Sequence, residues 1–277
     1  MRLGYHTITW GGVVGHPVGV TSVKDLYYLA NGSMEHAVRD IASTGYAGTE
    51  MFDGNLAAYA DTPGQLRGLL ADAGLELVSA YTGANFIYPD ILADELHRVQ
   101  RAAQLAATFG AQRLVVGGGA QRASGTTDTD YDRLATALDQ VSDIAAEHGL
   151  TASYHPHLST IVEAPEQIER LLSRTRIGFC PDTAHLAAGG GDPATLIRRY
   201  PDRIDHVHLK DVRLDPLQFL PLGEGDLDFA DILTALSEIG YDAWLMVELD
   251  SYDGDPRVAA ETSKAYLDKL LPLTARS

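Results

Sequence analysis

The chain has 277 residues, and 45% of them are hydrophobic, which predicts a large buried core and excludes a disordered chain. Its 38 acidic residues against 21 basic ones give a net charge of −17, which opposes contact with nucleic-acid phosphates. One cysteine excludes an intrachain disulfide, and the sequence has no run of about 18 apolar residues, so we expect a cytoplasmic protein with no nucleic-acid or membrane partner.

Strand-like and helix-like runs alternate through the first half of the chain. The N-terminal segment MRLGYHTITW lacks the basic and apolar parts of a signal peptide and enters the first strand directly. A polar, glycine-rich insertion over residues 11–32 precedes the first helix, for which Ser33 is the expected N-cap. Strands are expected over residues 3–9, 47–52, 75–82 and 112–119, and helices over residues 34–45, 62–73 and 94–110.

The second half continues the alternation. Strands are expected over residues 150–155, 176–182, 203–211 and 243–250, and helices over residues 131–148, 164–175, 193–200, 229–240 and 256–271. Residues 212–227 are expected to form a loop. Eight βα units, each roughly 30 residues long, predict an α/β fold with a single (β/α)8 TIM barrel over residues 1–277. An open, doubly wound sheet is the alternative.

Four predicted strands of the second half end on a potential metal ligand. The carboxyl ends of the strands meet at one mouth of a parallel barrel, so four such side chains can converge on one divalent ion. The four residues are His155, Asp182, His208 and Glu248. Two imidazoles and two carboxylates suit Mn²⁺, Co²⁺ or Zn²⁺ better than Ca²⁺, with Mn²⁺ the first choice and Mg²⁺ compatible.

The same mouth carries candidates for proton transfer and substrate contact. His157 or His155 is expected to act as acid or base, because imidazole titrates near neutral pH. If His155 is the base, three protein ligands remain for the metal, which is enough for a catalytic site. Lys210 is a candidate to hold an enolate oxygen or to assist a leaving hydroxyl, and the first strand ends near two candidate pocket residues, His6 and Trp10.

A combination of four segments identifies a family. They are PDTAH (181–185), HVHLKD (206–211), PLGEGDLDF (221–229) and GYDAWLMVELD (240–250). In order and spacing this set resembles the xylose isomerase-like TIM-barrel family of sugar isomerases, epimerases and dehydratases. The resemblance implies that three of the family's four metal ligands are Asp182, His208 and Glu248. It also implies that His185 and Arg213 contact substrate and that Glu50, on the second strand, lines the site.

The fourth ligand position departs from the common pattern of that family. Many relatives place Glu before Pro-His there, whereas this chain has His155-Pro156-His157. Two-base epimerases of the family use the carboxylate at this position, so its loss disfavours epimerisation by two carboxylates. The segments YHPH and HVHLKDVR are more similar to those of inosose dehydratases.

The expected function is a metal-dependent enzyme that forms an enolate from a small keto-inositol or keto-sugar. The metal would act as a Lewis acid while a base removes the proton next to the carbonyl, and dehydration is preferred over isomerisation. The alternatives are a sugar isomerase or ketose 3-epimerase, in which Glu248 would be the base, a lyase acting on 3-keto-glycosides, and a sugar-binding subunit without catalysis. Exposed barrel faces are also compatible with a homo-oligomer.

Overall fold

The computed structural model describes residues 1–11 and 27–274, and eight parallel strands of these residues form one sheet. The strands are β1 Arg2–His6, β2 Gly48–Phe52, β3 Glu76–Ala84, β4 Arg113–Gly118, β5 Thr151–Tyr154, β6 Gly178–Phe179, β7 Val207–Leu209 and β10 Trp244–Val247. Their spatial order is β6-β5-β4-β3-β2-β1-β10-β7. Parallel bridges from Phe179 to Ile204 and from Asp182 to His208 join the two end strands. The sheet therefore closes on itself, which confirms the predicted (β/α)8 barrel and excludes the open sheet.

Helices connect successive strands. They are α1 Met34–Ser43, α2 Asp53–Ala57, α3 Pro63–Ala73, α4 Leu92–Thr108, α5 Asp128–Glu147, α6 Pro165–Leu172, α7 Thr183–Ala188, α8 Pro193–Arg199, α9 Phe229–Glu238 and α10 Pro256–Thr274. As expected, Ser33 caps α1 by accepting the backbone N–H of His36 at 3.2 Å. Gly74 ends α3 with a left-handed φ of 67°, a conformation that costs glycine little. None of the helices in the described ranges is long and apolar enough to cross a membrane.

The structure departs from the sequence expectation in several places. Residues 212–227 are not a plain loop, because strands β8 Asp211–Leu214 and β9 Leu217–Leu220 form an antiparallel hairpin in this region. A proline within a run disfavours a strand, but Pro216 lies in the two-residue turn, Asp215-Pro216, that joins β8 to β9. The short helices α2 and α7 were not expected. Most of the predicted glycine-rich insertion, residues 12–26, lies outside the described residues.

An apolar plug closes the N-terminal end of the barrel interior. Val78, Trp244 and Met246 pack together there as a small buried cluster. Gly48 leaves room for this cluster, since a Cβ at that position would lie 2.6 Å from Val78 Cγ2 and 2.7 Å from Trp244 Cζ3. Because side chains alternate along a strand, Trp244 and Met246 share their inward face with Glu248, closer to the mouth. The plug thus separates the polar upper part of the interior from solvent at the other end.

Gly48 and Gly68 provide a matched test of this packing. Gly48→Ala is expected to lower the free energy of unfolding by about 1–3 kcal/mol, because the new methyl group overpacks the plug. Gly68→Ala on α3 meets no atom within 4 Å among the described residues and should stabilise by about 0.5–1 kcal/mol. Urea unfolding of both variants measures the difference. Equal effects of the two substitutions would contradict the tight packing at Gly48.

Candidate functional site

Asp182 is held at the mouth by the start of helix α7. One carboxylate oxygen, Oδ1, accepts the backbone N–H groups of Ala184 and His185, each at 2.9 Å. The other oxygen, Oδ2, lies 3.4 Å from Nε2 of His155, which directly follows β5. Both side chains are buried. The helix cap therefore fixes Asp182 while leaving one of its oxygens directed at the imidazole.

His208 and Glu248 meet on neighbouring strands. β7 pairs with β10, and the backbone N–H of Glu248 donates to the carbonyl of Leu209 at 2.9 Å. This register places Nδ1 of His208 2.8 Å from Oε2 of Glu248. One potential ligand atom from each of four buried residues lies within 4.8 Å of the others, and the four are His155, Asp182, His208 and Glu248. The structure thus brings together the predicted set, which can hold a metal ion.

Lys210 is a fully buried cation among carboxylates. Its Nζ lies 2.6 Å from Oε1 of Glu248, 2.7 Å from Oδ1 of Asp250 and 3.5 Å from Oδ2 of Asp182. Burial lowers the pKa of Lys210, but these negative charges outweigh burial and raise it well above its usual value. Burial likewise raises the pKa of Glu248, and the positive charges of Lys210 and His208 hold it well below its usual range. The amine and the carboxylate therefore both stay charged at neutral pH.

Two further histidines, His157 and His185, lie beside this group. Nδ1 of His157 is 2.7 Å from the carbonyl of Leu158, which can only accept, so Nδ1 carries the proton and Nε2 keeps its lone pair. Burial, with a smaller contribution from the neighbouring His155, lowers the pKa of His157 to about 4. The His157 ring packs against the ring of His185, with centroids 3.8 Å apart. Nε2 of His185 in turn accepts from Lys210 Nζ at 3.2 Å. Both imidazoles are therefore neutral at neutral pH. The expectation that His157 titrates near neutral pH is wrong, because burial lowers its pKa.

The remaining sequence candidates lie around or below this group. Arg213 is on the β8–β9 hairpin, half-buried, and donates to Gln218 at 2.9 Å. The indole Nε1–H of Trp10 donates to Asp40 on α1 at 2.7 Å. His6 and Glu50 are fully buried, with His6 Nε2 3.4 Å from Glu50 Oε1.

Two residues that sequence reasoning missed also contact the site. Phe219 of the hairpin packs its ring 5.2 Å from the ring of His185 and 4.9 Å from Lys210 Nζ. Asp250 lies just beyond β10 and pairs with Lys210. Short alternating apolar and polar runs on either side of Asp215-Pro216 could have predicted the hairpin that carries Phe219. Asp250 shares the strand parity of Glu248, which could have indicated it.

Asp211 ties the hairpin to the loop that follows it. Oδ2 of Asp211 accepts the backbone N–H groups of Gly223 at 2.9 Å and Gly225 at 3.0 Å. Oδ1 accepts from Val212 at 2.8 Å and from Leu227 at 3.3 Å. Both oxygens of one buried carboxylate thus hold the segment that carries Phe219 over the mouth.

Replacing Asp211 tests this anchoring. Asp211→Asn keeps the shape but turns one acceptor into a donor, so we expect a loss of about 1–3 kcal/mol in the free energy of unfolding. The amides of Gly223 and Gly225 should also exchange faster with solvent. Hydrogen exchange and urea unfolding measure both effects, with Asp253→Asn at an exposed position as the matched control. Unchanged protection of the two glycine amides would contradict the anchoring role.

The fold and the site together define a (β/α)8 barrel with a buried histidine–carboxylate group at the carboxyl ends of its strands. The sequence profile of the xylose isomerase-like TIM barrel family matches residues 38–270. The chain belongs to this family, as the four sequence segments predicted.

Individual relatives add detail. An inosose dehydratase from Geobacillus kaustophilus is 32% identical to the chain, and the match covers 86% of this chain and 88% of the relative. Among solved structures, an L-ribulose 3-epimerase is similar with a TM-score of 0.76 at 19% identity, covering 99% of this chain and 96% of that one. The probable 3-DHS dehydratase AsbF from Bacillus anthracis gives a TM-score of 0.74 at 15% identity, covering 97% and 99%. At such identities the two structures show a shared fold.

Proposed function

We propose that this chain is a divalent-metal-dependent dehydratase that eliminates water from a keto-inositol or a closely related polyhydroxy ketone. The observation that carries the proposal is a neutral imidazole base, His157, beside a buried group of two imidazoles and two carboxylates. His155 stands where two-base epimerases of the family have a carboxylate, which favours elimination. The 32% identity to an inosose dehydratase supports the same substrate class.

The donor set fits a divalent ion. His155 Nε2 and Asp182 Oδ2 are 3.4 Å apart, and His208 Nδ1 and Glu248 Oε2 are 2.8 Å apart. Two atoms that each lie about 2.1 Å from one ion are separated by about 3.0–3.4 Å, close to both values. Mn²⁺ is the preferred ion, and Co²⁺, Zn²⁺ and Mg²⁺ are compatible with these nitrogen and oxygen donors. When bound, such an ion polarises a carbonyl oxygen as a Lewis acid.

The chain's own residues move the proton. Nε2 of His157 accepts the proton from the carbon next to the carbonyl, and the electron pair of that C–H bond forms the enolate. As the carbonyl re-forms, the bond from the β-carbon to its hydroxyl breaks. The hydroxyl takes the proton back from His157 and leaves as water, so the product is an unsaturated ketone. Lys210, which stays protonated, supplies fixed positive charge beside the developing enolate.

Substrate contacts come from two sides of the mouth. Nδ1 of His185 is buried and has no hydrogen-bond partner within the described part of the chain, so it is available to a substrate hydroxyl. Arg213 approaches from the hairpin, and Phe219 offers an aromatic face to the apolar C–H groups of a ring.

Proton NMR in D₂O of the purified protein with Mn²⁺ tests the function directly. The substrates are keto-inositols, ketohexoses and 3-keto-glucosides. We expect a keto-inositol to lose a β-hydroxyl and to give a new enone or dione signal. Deuterium incorporation with a new epimer or aldose, and no elimination, would instead assign an isomerase or 3-epimerase. Elimination only from 3-keto-glucosides would assign a lyase on that class, and no reaction with any substrate would favour a sugar-binding subunit.

His208→Ala tests the metal site separately from the substrate. Losing a residue that hydrogen-bonds to a metal ligand typically lowers metal affinity by roughly 10–100-fold. His208→Ala removes a ligand itself, so its Mn²⁺ affinity should fall by more than that. Activity should fall with it, while circular dichroism shows an intact barrel. His97→Ala, at an exposed position on α4, is the matched control and should bind Mn²⁺ like the unsubstituted protein. Unchanged Mn²⁺ binding by His208→Ala would refute the ligand assignment.

A further inference from the structure

A second polar layer lies inside the barrel, directly beneath the proposed metal ligands. Its centre is Glu50 on β2, which is fully buried and contacts side chains from three other strand segments. The hydroxyl of Ser79 on β3 donates to Oε2 of Glu50. His206 Nε2 lies 3.0 Å from the same oxygen. His208 Nε2 lies 3.1 Å from Oε1.

The backbone brings these partners together through an irregular register. The pairing of β2 with β3 shifts between Thr49 and Glu50, so that Glu50 lies opposite Ser79. Without the shift the residue opposite Glu50 would be Val78, which instead belongs to the apolar plug. The irregularity therefore places a hydroxyl donor against a carboxylate that would otherwise face an apolar side chain.

The proton positions around Glu50 follow from the chemistry of its neighbours. Nδ1 of His6 accepts the backbone N–H of Ile8 at 2.9 Å, so the neutral ring carries its proton on Nε2, toward Glu50. A carboxylate has no proton to give, so the His208 nitrogen that faces it, Nε2, must be the donor. The other ring nitrogen of His208, Nδ1, faces the carboxylate of Glu248 at 2.8 Å, so by the same argument it also carries a proton in the metal-free protein. An ion bound to Glu248 would replace that proton.

We propose that Glu50 is a positioning residue for the metal site: its carboxylate holds the proton of His208 on Nε2 and so turns the Nδ1 lone pair toward the ion. This proposal rests on the metal site of the proposed function but not on the identity of the substrate. A carboxylate behind a metal-binding imidazole fixes the ring's orientation and raises its basicity. Ser79 and His206 hold Glu50 in place from the sides. Glu50 thus acts through His208 and does not itself contact substrate.

A second metal ion in this layer is the competing interpretation. Glu50, His206 and His208 also offer ligand atoms within 4.8 Å of one another. Occupation of both groups at once would require His208 to give one nitrogen to each ion, which leaves no proton on the ring. The His208 ring and the Ser79 hydroxyl already serve as hydrogen-bond donors to Glu50. The geometry therefore favours one ion at the mouth and a hydrogen-bonded carboxylate below it.

Glu50→Gln separates the interpretations. The probe is Co²⁺ or Mn²⁺ added to metal-free full-length protein, with affinity and stoichiometry measured by calorimetry. We expect one ion per chain in the unsubstituted protein and an affinity lowered by about 10–100-fold in Glu50→Gln. Glu147→Gln, at an exposed position on α5, is the matched control and should leave the affinity unchanged. Two ions per chain, with loss of one in Glu50→Gln, would overturn the proposal in favour of the second site.

Two further measurements guard against a variant that fails to fold. Ser79→Ala removes one donor to Glu50 but keeps the carboxylate, and it should lower the affinity in the same direction by a smaller factor. In the unsubstituted protein loaded with Zn²⁺, ¹⁵N NMR should show a protonated Nε2 on His208 with slow exchange, and this proton should exchange faster in Ser79→Ala. A proton on Nδ1 of His208 in the Zn²⁺-loaded protein, or metal affinity unchanged in Glu50→Gln with a raised KM, would overturn the positioning role. Failure of every keto-inositol to react would refute the dehydratase while leaving these results intact.

Discussion

The burial of several carboxylates in one small volume is the constraint on which the rest of the interior depends. Glu50, Asp182, Glu248 and Asp250 are all buried near the mouth of the barrel. Burying a charged group without a partner is costly, so each of them requires hydrogen-bond donors or positive charge close by. Lys210 lies between three of them, Asp182 also caps helix α7, and imidazoles face Glu50 and Glu248. The same requirement makes the mouth a favourable place for a divalent cation.

This constraint explains how the barrel interior is layered. The apolar plug around Trp244 closes one end, where polar groups would find no partners. Above it lies the layer around Glu50, whose Oε2 is hydrogen-bonded to Ser79 and His206. The proposed ligands lie at the mouth, where they can exchange partners with an ion and a substrate. The chemistry is thus confined to one end of a rigid scaffold, as the parallel barrel favours.

The hairpin after β7 completes the site from outside the barrel. Strands β8 and β9 carry Arg213 and Phe219, and Asp211 binds the following loop through three backbone N–H groups. Phe219 covers Lys210 and His185, which shields the charged group from water on that side. Shielding of this kind strengthens the electrostatic interactions within the site.

The sequence by itself determined the barrel and the four strand-end side chains that meet at its mouth, because both depend on local patterns. Strand and helix periodicity is set within a few residues, and the period of two decides that His208 and Glu248 face the interior. Tertiary structure alone decided that Glu50 lies below the mouth, opposite Ser79, since that depends on a register shift between two strands. It also decided the hairpin, because Pro216 makes the local sequence look unlike a strand. Asp211 holds the adjoining loop through contacts with residues up to 16 positions away. Which side chains meet is a property of strand register and barrel closure, and those are set by long-range packing that no local pattern records.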